Sequence, residues 1–205
     1  WEYPWDELDK ERAQRSSVAS TNGPNRDAAR KQELQQRLWE DYAYGQLSSD
    51  GETVFVLDDL RLVPNMNADR RLIVQGGRVI PNPVTTTTHN QLVALELHKQ
   101  GKLKWIVGGE KGNDEPKLTD HFFLGSPLPL MGQLLTLAER DGEIRLVVLD
   151  AATGKLEWSQ QVAHMNEASI RFDSLRRLSG ATPSFAEGMV ICPTTGGAVV
   201  AVDWS

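Results

Sequence analysis

The chain has 205 residues, 40% of them hydrophobic, which is enough to bury a core in one large or two small domains and excludes a disordered chain. Its net charge of -6 comes from acids and bases interspersed along the sequence, and without a basic cluster it carries no footprint for nucleic acid. No run approaches the roughly 20 apolar residues of a membrane span, no signal-peptide pattern opens the chain, and it starts at Trp1, so a processed form or a piece of a longer protein is expected.

Residues 1–24 are polar and broken by Pro4, Gly23 and Pro24, which predicts an extended arm. Over residues 25–45 the composition turns helical. Leu34, Leu38 and Tyr42 fall at i, i+4 and i+8, Asn25 or Asp27 can cap the start and Gly45 the end, so one amphipathic helix docking against the body of the protein is expected.

After Gly45 the pattern changes to short apolar runs separated by Gly, Asp, Asn and Pro, as in antiparallel all-β proteins. Three copies of one unit follow. They read LVALELHKQGKLKW at 92–105, LVVLDAATGKLEW at 146–158 and VVAVDW at 199–204. Gly101 to Gly154, Trp105 to Trp158 and Asp150 to Asp203 are each 53 residues apart. Each copy is preceded by a strand led by glycine: DGETVFVL from Asp50, MGQLLTLA from Met131 and EGMVICPT from Glu187.

A period in this range with several strands per unit predicts the four-stranded blades of a β-propeller. The middle strands of a blade are covered on both faces, which suits the continuous LVAL and LVVL. In DAATGK, Asp150 can accept backbone N–H groups where the turn begins and Gly154 can adopt positive φ. Trp105 and Trp158 then fall at the same point of successive blades and are expected to pack between them. The blades are expected at about 46–107, 118–162 and 179–205, the third incomplete. Since propellers close with about four to eight blades, the rest is expected from the same chain or another.

The Asp-x-x-Thr-Gly-Lys-Leu-x-Trp pattern of the second copy resembles the repeat of the pyrroloquinoline-quinone-like (PQQ-like) propeller superfamily. The first copy departs from it, with Glu96 for the Asp and Lys99-Gln100-Gly101 for Thr-Gly. The resemblance covers about residues 42–205 and extends to large bacterial secreted and envelope proteins. It implies one of two functions. One is a non-enzymatic scaffold or protein-interaction module of the bacterial envelope, periplasmic or extracellular, with no cofactor. The other is a fragment of a quinoprotein dehydrogenase, which would bring the quinone, a calcium and an Asp base. The adjacent cysteines of many such dehydrogenases have no counterpart, because Cys192 is the only cysteine.

The first reading is preferred, with no catalytic residue and no metal site. The residues that mark the repeat, Glu96, Gly101, Trp105, Asp150, Gly154, Trp158 and Asp203, are structural. The stretch from Asp58 to Asn90 lengthens the first repeat and holds Arg70, Arg71 and His89, a candidate partner-binding loop. Asp114, Glu115, Asp120 and Asn166 are oxygen donors for the dehydrogenase alternative. His89, His98, His121 and His164 lie in separate segments without metal-ligand spacing. His121, Phe122 and Phe123 are expected to enter the core at the outer edge of a blade. Arg176 and Arg177 are expected to hold turn carbonyls or to face a partner, and Cys192 to be an inert core residue.

Overall fold

The computed structural model describes residues 47–58, 73–75, 78–80, 88–166, 169–170, 173–177 and 179–204. The polar arm, the expected helix, Arg70 and Arg71 lie outside these residues. The described chain is all-β, with three antiparallel sheets that follow one another in sequence.

The first sheet has the order β1 (Leu47–Ser49), β2 (Thr53–Asp58), β5 (Gln91–Glu96) and β6 (Lys102–Gly108). A small hairpin, β3 (Ile73–Gln75) with β4 (Arg78–Ile80), occupies the long connection between β2 and β5. The second sheet contains β7 (Phe122–Phe123), β8 (Leu128–Leu130), β9 (Gln133–Arg140), β10 (Glu143–Asp150) and β11 (Leu156–His164). Both β7 and β8 pair with β9, one edge strand interrupted at Gly125-Ser126-Pro127. The third sheet has β12 (Ser184–Ala186), β13 (Met189–Pro193) and β14 (Val199–Asp203) in that order.

The repeat is visible in hydrogen bonds. Leu97 N–H donates to the Glu52 carbonyl at 2.8 Å, Ala151 N–H to Gly132 at 3.0 Å and Trp204 N–H to Gly188 at 2.9 Å. The same bond ties two turns together in each sheet. The β5–β6 pairing shifts register after Ala94, which faces Trp105, and the β10–β11 pairing shifts after Val148, which faces Trp158. A bulge at the same repeat position therefore aims each tryptophan out of its sheet.

The turns differ as their sequences do. Asp150 Oδ1 accepts the Thr153 N–H at 2.7 Å, and Gly154 follows at φ 71°. Glu96 makes no such bond to its turn, which is one residue longer. It pairs with Lys99 at 2.8 Å while a short 3₁₀ turn over Leu97–Lys99 carries the chain into Gln100 and Gly101, both at positive φ.

Alternation along the middle strands gives two cores. Leu134, Ala138, Val147 and Leu149 pack with Phe55, Leu92 and Trp105 of the first sheet. Leu135, Leu137, Leu146 and Val148 point the other way, against Val190, Cys192 and Val202 of the third. Phe122 and Phe123 divide in the same way between the two cores. They sit at the edge opposite β11, away from the tryptophan-bearing strand.

Candidate protein-interaction face

Polar side chains at the junctions between sheets are directed inward. Buried Asn90 accepts the Phe123 N–H at 2.7 Å and donates to the Phe123 carbonyl at 2.9 Å, so one amide replaces a strand pair between the first and second sheets. Trp105 is only 4% exposed, lies 5.9 Å from Phe55 and donates its Nε1–H to the Ala151 carbonyl at 3.2 Å. Gly154 is required beneath it, since a Cβ there would come within 2.7 Å of the indole.

Between the second and third sheets, Arg176 occupies a helical turn, Ser174–Arg177, in the connection from β11 to β12. Its guanidinium reaches Glu139 at 3.2 Å and Asp173 at 2.9 Å. Arg176 and Glu139 are buried. Burial pushes the Glu139 carboxyl above its ordinary value, against the pull of Arg176. Arg176 thus binds two carboxylates, and Arg177 lies 4.6 Å from the centre of the Phe122 ring.

The oxygen donors named from sequence also have structural partners. Asp114 accepts the Ile106 N–H at 2.9 Å, and Glu115 accepts the Leu156 N–H at 3.1 Å and the Lys117 N–H at 3.2 Å. Lys155 Nζ donates to the Asp114 carbonyl. Asp120 lies 3.5 Å from His89, and Asn166 is exposed on the next connection. No three Asp, Glu, His or Cys side chains converge among the described residues.

Burial lowers the value of His121, whose ring nitrogen lies 3.0 Å from the Thr119 carbonyl. Burial also pushes the Cys192 thiol up to about 11, which leaves it protonated at neutral pH and unsuited to nucleophilic chemistry. A depression of about 570 Å³ between residues 179–182 and 193–195 is lined by Ser, Thr, Gly, Ala and Pro alone, so it offers no titratable group.

The third sheet presents a different surface. Its inner residues Val190, Cys192 and Val202 cover the second sheet. Ile191, Val199 and Ala201 alternate with them and point the other way. Register makes Val199 the counterpart of Leu146 and Ala201 that of Val148, both fully buried in the second sheet, yet Val199 is 70% exposed. At the turn end of this sheet Trp158 stacks on Trp204, with ring centres 5.5 Å apart, and remains 36% exposed. Trp204 directly follows Asp203, as Ala151 follows Asp150, so Trp158 contacts the third sheet where Trp105 contacts the second. Nothing in the spacing of the repeats signalled Asn90 or Glu139. Val199 was legible only as part of a strand.

Fold and repeat together define a protein of the PQQ-like β-propeller class. The chain belongs to the family described as outer membrane protein assembly factor BamB, whose model matches residues 37–205. Among solved structures it is similar to a europium-containing methanol dehydrogenase, at 14% identity and a TM-score of 0.32, over 57% of this chain and 15% of that one. The chain thus spans well under two thirds of that protein's length. A search of curated proteins found no match. Among the described residues no helix is long and apolar enough to cross a membrane.

Proposed function

We propose that the chain is a non-enzymatic scaffold or protein-interaction module of the bacterial envelope, periplasmic or extracellular. The observation that carries this reading is that Asp114, Glu115, Glu139 and Arg176, the charged groups at the junctions between sheets, are engaged with backbone N–H groups or with one another. The membership in a family described by an outer-membrane assembly factor supports an envelope location and a protein partner.

The test crosslinks the tagged full chain in envelope extract, where a discrete, stoichiometric protein partner is expected. In parallel the chain is mixed with pyrroloquinoline quinone and Ca²⁺, gel-filtered and assayed for dye-linked alcohol oxidation. Stoichiometric retention of the quinone with dye reduction would overturn the scaffold reading in favour of a dehydrogenase fragment.

A further inference from the structure

We infer that the outer edge of β11, from Ser159 to Ala163, is a site where an extended, uncharged segment of a partner protein adds as a further strand, held by main-chain hydrogen bonds. The inference rests on the scaffold reading and names the chemistry of its partner. The second sheet is covered on both faces, by Phe55, Leu92 and Trp105 on one side and by Val190, Cys192 and Val202 on the other. β11 is therefore the outer strand of an enclosed sheet, and among the described residues it pairs only with β10.

The first sheet shows what closing such an edge takes. In β6 the outward N–H of Ile106 donates to Asp114 Oδ2 at 2.9 Å, its carbonyl accepts the Asp114 N–H at 3.0 Å, and Val107 bridges Asn113. Lys102 and Lys104 stand in the same strand. A connection folded over the edge and lysines along it are two of the ways in which sheets avoid further pairing. On β11 that connection reaches only the first residue, Leu156, whose N–H donates to Glu115 at 3.1 Å. Register makes Ser159 the counterpart of Ile106, since each follows its tryptophan and pairs with the middle strand, Ile106 with Val93 and Ser159 with Val147. Ser159 and Gln161 thus turn their N–H and carbonyl groups outward, because such groups alternate in direction along an antiparallel strand. Among the described residues nothing accepts either outward N–H. The connection after β11 carries Asp173, but that carboxylate is committed to the Arg176 N–H at 3.0 Å and to its Nε at 2.9 Å. Arg145 Nη2 lies 3.4 Å from the Ser159 carbonyl, a long contact that leaves a second lone pair open. From Trp158 to Ala163 the strand has neither a charge nor a proline to deter pairing.

The occupant follows from this edge. Outward N–H and carbonyl groups in extended geometry are matched by another extended backbone. The neighbouring charges are already engaged, Arg145 with Glu143 at 3.0 Å and Glu157 with Gln133, so the segment is uncharged, and β-branched residues suit its conformation. The nine residues of β11 give an edge about 30 Å long and one strand deep. That fits a single segment, whereas a stable pair of folded proteins needs about 800 Å² from each partner.

The probe is a fluorescein-labelled peptide KTVTVTVTK, with lysines at the ends for solubility, titrated with the full chain and followed by anisotropy. Saturable binding is expected, with loss of at least tenfold when every residue between the lysines is N-methylated, which keeps the side chains and removes the donors. Ser159→Pro removes an outward N–H at an edge position where the ring is tolerated, and should weaken binding at least tenfold, whereas Ser159→Thr should leave it within twofold. In the unaltered chain the amides of Ser159 and Gln161 should exchange with solvent quickly and become protected on adding peptide, a readout that does not depend on any variant folding. Equal binding of the N-methylated peptide, or binding without protection of those amides, would overturn the inference. So would absence of binding. If the crosslinked envelope partner persisted in that case, the scaffold reading would stand and only the strand mode would fall. A chain already dimeric before peptide is added, with Ser159 and Gln161 protected, would assign the edge to a second copy and likewise overturn the inference.

Discussion

Replacing Trp105 and Trp158 by alanine, one at a time, makes the same chemical change at equivalent points of two successive sheets. Trp105 is 4% exposed and Trp158 is 36% exposed. An indole buries roughly 200 Å², worth about 5 kcal/mol at roughly 25 cal/mol per Å². Trp105→Ala also strands the Ala151 carbonyl, at about 1 kcal/mol, while partial collapse around the cavity offsets some of the loss. A destabilisation of about 4 kcal/mol is expected. Trp158 is more than a third exposed and its indole N–H donates to no carbonyl among the described residues, so about 2 kcal/mol is expected. Urea unfolding followed by circular dichroism reads both, without depending on the fluorescence of the residues removed. Midpoints should shift with an unchanged denaturant slope. Equal losses for the two variants would refute the assignment of Trp105 to a closed junction and Trp158 to an open one.

Gly154→Leu should cost at least 2 kcal/mol in the same urea assay, because it combines a positive φ with a Cβ against the Trp105 ring. Asn90→Ala removes both hydrogen bonds to Phe123 within a buried site and should cost about 3 kcal/mol, detectable also as faster hydrogen exchange over residues 121–124. Arg176→Met leaves the Glu139 carboxylate buried beside Asp173 and should cost about 3 kcal/mol at pH 7. The sign with pH follows from the raised value of Glu139. Its folded state holds the proton more tightly than the unfolded one, so stability gained on protonation is lost as pH rises through the folded value. Since the substitution removes the cation that opposes this rise among the described residues, the deficit of Arg176→Met should shrink as pH is lowered from 7 toward 5. A deficit that grew would show that the pair, not burial, sets the titration.

The parts of the fold that were legible in the sequence are those that recur. Gly101 and Gly154, Trp105 and Trp158, and Asp150 and Asp203 keep a common spacing because each sheet must turn, bulge and contact its neighbour in the same way. The junctions were not legible, because each uses a single unrepeated residue. Asn90 stands before a strand and reads as a turn residue, although its amide bridges to Phe123, 33 positions away. Arg176 reads as a cation that holds local turn carbonyls or faces a partner, and nothing local points to Glu139, 37 positions distant. Asp114 and Glu115 look like ligands in sequence because a carboxylate that caps backbone N–H groups has the same composition as one that holds a metal. The interruption between β7 and β8 had a signal in Gly125-Ser126-Pro127, since proline cannot donate to the neighbouring strand.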